Sequence, residues 1–207
     1  MKNKDLKRRI IEISYKLKLS HLGSCLTAVD IIKEIYEIKK PDEKFVLSAG
    51  HAHLAHAVVM EHYGIIKDAE KNIEEHGIHC ERAGGCDAST GSLGQGLPIA
   101  VGMALARKDD NIYCLISDGE CSEGSIYEAL RIAQENNLAG LKVYLNMNGM
   151  AAYKQTFPHE IIPKLKQFWP ELFVRYTNFN ELMPVLTEPQ EAHYKVLSKE
   201  EYETLIR

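Results

Sequence analysis

The sequence predicts an α/β fold: a mostly parallel sheet with helices on both faces. Three observations carry this expectation. First, Ile112 to Ile116 and Leu141 to Leu145 are short apolar runs of the kind buried strands make. Second, the segment between them places Ile126, Ala129, Leu130 and Ala133 on one helical face, so strand, helix and strand form a parallel βαβ unit. Third, 207 residues with 45% hydrophobic content suffice for one compact domain with a full core. One domain over 1–207 is expected, with residues 155–207 a short tail that completes it.

The elements follow in order. Leu6, Ile10, Ile13 and Leu17 lie at helical spacing opposite Lys and Arg, an amphipathic helix over 4–18. Thr27 and Asp30 have the spacing of a capping box, opening a helix through Val29, Ile32, Ile35 and Tyr36. Pro41-Asp42 breaks the chain, and Phe45-Val46-Leu47 makes a short buried strand. A helix runs from the Ser48–His51 segment to Tyr63, with Gly64 its C-cap, and a shorter one over 68–76 ends at Gly77. Residues 78–92 show no periodicity, and a glycine-dense loop of that length points to function. An alanine-rich helix to Arg107 follows, with Pro98 in its first turn. Beyond the central unit come a polar-aromatic segment with Pro158 and Pro163, an apolar stretch Leu172–Val174 and a helix from near Asn180. A strand-like Ala192–Leu197 precedes a last helix capped by Ser198 and Glu201.

Composition excludes several classes. The net charge is −4 and no basic block occurs, so neither nucleic acid nor an anionic membrane is an expected partner. No run approaches the ~20 apolar residues of a membrane span. The basic start, MKNKDLKRR, leads into an amphipathic pattern and not into a signal sequence. The cysteines, at 25, 80, 86, 114 and 121, are odd in number and form no CxxC, which fits reduced thiols and a cytoplasmic location. His79, Cys80 and Cys86 are close in sequence, but their spacing matches no standard zinc motif, so no zinc site is expected there. His53, His56 and His62 read as structural residues of the helix after His51.

Ligands collect at the carboxyl ends of strands in open parallel sheets. Asp118 and Asn148 each sit just past such an end. Asp118-Gly119 or Asn148-Gly149 alone is an ordinary turn. Together, after two strands of one unit, they suit a hard cation bound to phosphate. Magnesium takes oxygen ligands, and Asp118 offers a carboxylate, Asn148 an amide oxygen and Met150 a backbone carbonyl. Gly119 lets a diphosphate approach the backbone.

The stretch Ser117-Asp118-Gly119-Glu120, closed by Asn148-Gly149, resembles the thiamine-diphosphate fingerprint in its transketolase form, with Ser117 in place of the first glycine. The resemblance extends over residues 20–153. Ser20-His21-Leu22-Gly23 stands where the family has GHPG, and Ala49-Gly50-His51 where it has NGH. His79-Cys80-Glu81 replaces GHPE, and Thr90-Gly91-Ser92-Leu93-Gly94-Gln95-Gly96 replaces TGPLGQG. It implies a thiamine-diphosphate-binding fold and an enzyme that moves a two-carbon ketol unit between sugars or sugar phosphates.

The resemblance also implies roles. Asp118, Asn148 and the Met150 carbonyl would hold Mg2+. Gly119, Glu120, His51, Gly91, Ser92 and Leu93 would contact the cofactor. His21 and His79 would serve substrate and intermediate, because a ~6.5 pKa suits histidine to moving protons at neutral pH. Glu123 and Glu128 would join the two active sites at a subunit interface, although five residues apart they share no helix face and a solvated surface is the competing reading. Family members set the cofactor between this kind of domain and a pyrimidine-binding domain, and no loop here matches the second. A separate carboxy-terminal, pyrimidine-domain subunit is therefore the expected partner, in a homodimer or heterotetramer, with this chain inactive alone. Two alternatives stay open: another thiamine-diphosphate enzyme subunit, E1-like dehydrogenase or synthase, and a non-catalytic diphosphate-binding module.

Overall fold

A computed structural model describes residues 3–151, 154–178 and 193–206. Helices α1 (Asn3–Leu17) and α2 (Leu22–Ile38) precede strand β1 (Lys44–Leu47). Helices α3 (His53–His62), α4 (Ala69–His76) and α5 (Gly96–Ala106) lead to β2 (Ile112–Ser117). Helix α6 (Gly124–Glu135) connects β2 to β3 (Leu141–Met147). Then come α7 (Pro158–Phe168), β4 (Phe173–Tyr176) and α8 (Lys199–Leu205).

The four strands pair in chain order, β1-β2-β3-β4, and every pairing is parallel. Each strand alternates between two cores. Phe45, Leu47, Tyr113, Leu115 and Tyr144 face the layer of α1, α2, α3 and α4. Val46, Ile112, Cys114, Ile116, Val143 and Leu145 face α5, α6 and α7. Both faces of the sheet are thus covered, which is why β2 and β3 are apolar almost throughout. The residues after 155 supply β4, which lies beside β3 with Tyr144 opposite Phe173.

Helix ends follow local chemistry. The Asp68 carboxylate accepts the N–H groups of Glu70 and Lys71 and opens α4. Ser198 and Glu201 form the expected reciprocal capping box. Gly64 and Gly77 take positive φ just past α3 and α4.

Two expectations change, and one unassigned segment gains a structure. Thr27 and Asp30 do not cap a helix: α2 starts at Leu22, and the Thr27 hydroxyl, inside it, donates to the Ser24 carbonyl. The segment with Pro158 and Pro163 is helical, with Pro158 in the first turn, where a missing N–H costs nothing. Residues 193–194 are helical and 195–198 irregular, so no strand forms in the described part of 192–197. The helix placed near Asn180 lies outside the described residues.

Candidate active site

The carboxyl ends of β1, β2 and β3 converge on one edge of the sheet. Ser48 N–H donates to the Leu115 carbonyl and Asp118 N–H to the Asn146 carbonyl, which carries the ladder into the loops. A cleft of about 750 Å3, its open mouth included, forms above them. His21, His51, Leu93, Gly119, Asn148 and Met150 line it, all singled out from sequence.

Asp118 is fully buried. Its Oδ2 accepts the Gly149 N–H at 2.7 Å and the Thr156 hydroxyl at 2.6 Å, and its Oδ1 accepts the Gly119 N–H at 3.1 Å. Burial outweighs these donors and pushes the carboxyl up to about 6. None of the ion pairs among the described residues involves Asp118. The Asn148 Oδ1 accepts the Met150 N–H at 2.9 Å, and its amide faces the Thr27 hydroxyl at 3.4 Å. A Cβ on Gly119 would lie 3.6 Å from the Met150 carbonyl oxygen and 3.3 Å from Ala151 Cα. The Asp118 carboxylate and the Met150 carbonyl thus both lie against Gly119, a glycine with no room to spare for a larger residue, and the Asn148 amide oxygen is tied to the Met150 backbone.

Glu120 has a different place. It is fully buried, and its oxygens accept the Ser48 hydroxyl at 2.6 Å, the Gly94 N–H at 3.0 Å and the Ser117 N–H at 2.9 Å. Burial raises its pKa. The carboxylate ties β1, the Thr90–Gly96 loop and β2 together. Gly94 takes φ +78°, and a Cβ there would sit 2.6 Å from the Glu123 side chain. Leu93 reaches the cleft, while Ser92 faces solvent.

His21 caps α2 in a left-handed conformation, φ 62°, which is strained for a residue with a Cβ. Ser20 Oγ meets its Nδ1 at 2.7 Å. The His21 and His51 rings lie 5.1 Å apart. Burial, with the neighbouring histidines adding to it, lowers His21 to about 4 and His51 to about 3. Both rings are neutral at pH 7, so neither brings a positive charge into the cleft. His79 is exposed and lies against Gly91, where a Cβ would come 3.1 Å from its Cδ2. Glu123 and Glu128 are exposed at the start and on the outer face of α6, and the structure does not bring them into the cleft.

Sequence reasoning missed three residues. His193 joins the cleft: its carbonyl accepts the His21 N–H, and its ring packs 4.3 Å from that of His21. It lies in the tail, where no motif pointed to it. Thr156 likewise gave no signal. Asn146 is on β3 two residues before Asn148, and that spacing puts both side chains on one side of the strand.

The same part of the chain matches known proteins. An apulose-4-phosphate transketolase subunit of Phocaeicola vulgatus is 33% identical over 162 residues, 69% of this chain and 58% of that protein. A 6-deoxy-6-sulfo-D-fructose transketolase subunit of Clostridium sp. is 33% identical over 167 residues, 70% of this chain and 60% of that one. A family model described as 1-deoxy-D-xylulose-5-phosphate synthase matches residues 2–161, most of the chain. The chain belongs to the family that this model describes. It spans less than two thirds of these relatives, and human transketolase, 33% identical over 151 residues, is covered over 24% of its length. Transketolase structures from Pichia stipitis (TM-score 0.70, 22% identity, 81% of this chain and 30% of that one) and Campylobacter jejuni (0.68, 23%, 84% and 36%) share the fold. This transketolase-type chain has no helix among the described residues long and apolar enough to cross a membrane.

Proposed function

We propose that this chain is the diphosphate-binding subunit of a split, transketolase-like enzyme that moves a two-carbon ketol unit between sugars or sugar phosphates. One observation carries the reading: the buried Asp118 carboxylate binds the backbone N–H groups of Gly119 and Gly149, and Gly119, Asn148 and Met150 line the histidine cleft at the carboxyl edge of the sheet. The donor set fits Mg2+. It is all oxygen, and no lysine or arginine among the described residues pairs with the buried Asp118 carboxylate. Asp118, Asn148 and Met150 would hold the metal, and His51, Gly119 and the backbone of Gly91 and Leu93 would border the cofactor. Thiamine diphosphate, when bound, supplies the carbon nucleophile and electron sink of the reaction.

The chain's own groups then bind, orient and exclude water. Glu120 fixes the Thr90–Gly96 loop against β2, so Leu93 closes one wall. Neutral His21 and His51 would each offer a substrate one ring N–H donor and one ring-nitrogen acceptor without bringing charge into the cleft. His79, exposed beside Gly91, would exchange protons with a substrate hydroxyl. Glu123 and Glu128 have no role in the cleft, and their exposure suits a subunit contact.

The activating carboxylate would come from a pyrimidine-domain partner. The two relatives named as transketolase subunits support this division. A titration of thiamine diphosphate with Mg2+, with and without that partner, tests the reading together with a ketol-transfer assay. No metal-dependent binding in either case would refute it, and binding without any turnover in the complex would leave a non-catalytic module. The family model's description favours a second reading, a synthase. Product analysis of the reconstituted enzyme separates the two.

A further inference from the structure

Behind the cleft lies a second cluster that the proposed chemistry does not use. Helix α3 carries His53 and His56, three apart and so on one face. The loop after α4 carries Cys80 and Cys86. All four are buried, and their ligand atoms lie within 4.8 Å of one another.

We propose that His53, His56, Cys80 and Cys86 form a closed structural zinc site that fastens the His79–Thr90 loop to α3. The distances fit the ion. Zinc bonds of about 2.3 Å to sulfur and 2.0–2.1 Å to nitrogen, at a tetrahedral angle, set sulfur and nitrogen about 3.5 Å apart. Cys86 Sγ lies 3.6 Å from His53 Nδ1 and 3.5 Å from His56 Nδ1. Cys80 Sγ lies 3.6 and 4.0 Å from the same two atoms. Thiol hydrogen bonds do not account for this arrangement, because two S–H protons cannot serve four sulfur–nitrogen contacts.

The surroundings orient the imidazoles for a metal. Asn72 Nδ2 donates to the Gly84 carbonyl at 2.9 Å, so its Oδ1 is the atom that meets His53 Nε2 at 3.1 Å. His53 therefore carries its proton on Nε2 and turns a bare Nδ1 to the sulfurs. His56 Nε2 meets the Tyr36 hydroxyl at 2.7 Å and likewise turns Nδ1 inward. An outer partner on each second ring nitrogen is the usual support of a ligating histidine. Four protein ligands leave no open position, which marks the site as structural and separates it from the oxygen set at Asp118.

Sequence alone had grouped His79 with Cys80 and Cys86. The structure replaces it by two histidines from α3 and leaves His79 free at the rim. The metal would still govern His79, which precedes a ligand. The loop's other end is held by Thr90, whose N–H donates to the Cys80 carbonyl and whose hydroxyl donates to the Leu47 carbonyl.

The test is metal analysis of the chain purified under reducing conditions, then replacement of the metal by Co2+. One equivalent of zinc is expected, with the sulfur-to-metal charge-transfer and visible bands of tetrahedral cobalt after exchange. Asp118→Ala should keep the zinc, and the Cys80→Ser/Cys86→Ser double variant should lose it. If that variant does not fold, a chelator added to the wild-type chain should still lower its melting temperature, and zinc should restore it. Zinc far below one equivalent with no tetrahedral cobalt spectrum would overturn the assignment, as would a Cys80–Cys86 disulfide in the freshly purified chain.

Discussion

The Thr156 hydroxyl donates to Asp118 Oδ2 at 2.6 Å, so a residue beyond β3 holds the carboxylate that ends β2. Of the hydrogen bonds that hold down the Asp118 pKa, this one contributes most. Thr156→Val should raise that pKa further. Magnesium-dependent thiamine diphosphate affinity should then fall more at pH 6 than at pH 8. Equal losses at both values, by calorimetric titration, would show that Thr156 does not act through the charge of Asp118.

The pH dependence of metal binding has a definite sign. The Asp118 carboxyl sits at about 6 in the fold, above its ordinary ~3.9 when unfolded. Its contribution to stability is full below the unfolded value and is lost as pH rises through about 6. A bound cation reverses this preference, because it needs the carboxylate. The rise in melting temperature on adding Mg2+ should therefore be larger at pH 8 than at pH 5.5. His21 and His51 act oppositely: their stability is present above ~6.5 and lost as pH falls toward about 4 and about 3. Comparing scans with and without metal at each pH removes their share.

His79→Ala should leave cofactor affinity nearly unchanged and slow the reconstituted enzyme by about 10²–10⁴-fold. Gly91→Ala should slow it too, by up to about 10²-fold, because the added methyl displaces the His79 ring. Steady-state rates at saturating cofactor decide. A normal rate for His79→Ala would return this histidine to an ordinary surface position.

Glu120→Ala should destabilise the chain by roughly 3 kcal/mol or more. It strands three donors, Ser48 Oγ, Gly94 N–H and Ser117 N–H, each worth about 1–3 kcal/mol when buried without an acceptor. Urea unfolding measures it. A loss below about 1 kcal/mol would mean that water reaches these donors.

The isolated chain should show no ketol transfer, and activity should appear on mixing with a pyrimidine-domain subunit. Paired sites across a two-fold axis make a heterotetramer the expected form. A light-scattering mass of the mixture beside the assay checks both. Full activity from this chain alone would sink the split-subunit reading.

Much of this was legible because it was local. Strands β1, β2 and β3 announced themselves as apolar runs between turn residues, and Asp118, Asn148 and His51 by their place after them. What stayed hidden depended on contacts distant in sequence. The partners of Cys80 and Cys86 lie on α3, before α4 begins, and no spacing rule links them. The interior placement of Asp118 depends on Thr156, from a turn without a pattern. The neutrality of His21 and His51 comes from burial and mutual proximity, which only the fold creates.

The strand order carries a kinetic consequence. Strands β2 and β3 close over a span of ~30 residues and β1 and β2 over ~70, with only about 1 kcal/mol more closure entropy but many more residues to order first. The β2-α6-β3 unit is thus expected in the rate-limiting ensemble, with α3, α4 and the His79 loop docking afterwards. Ile126→Val should slow refolding, whereas Val58→Ala should mainly speed unfolding. A metal held by His53, His56, Cys80 and Cys86 would then act as a brake on opening: it would lengthen the lifetime of the folded chain and leave the speed of reaching it almost unchanged.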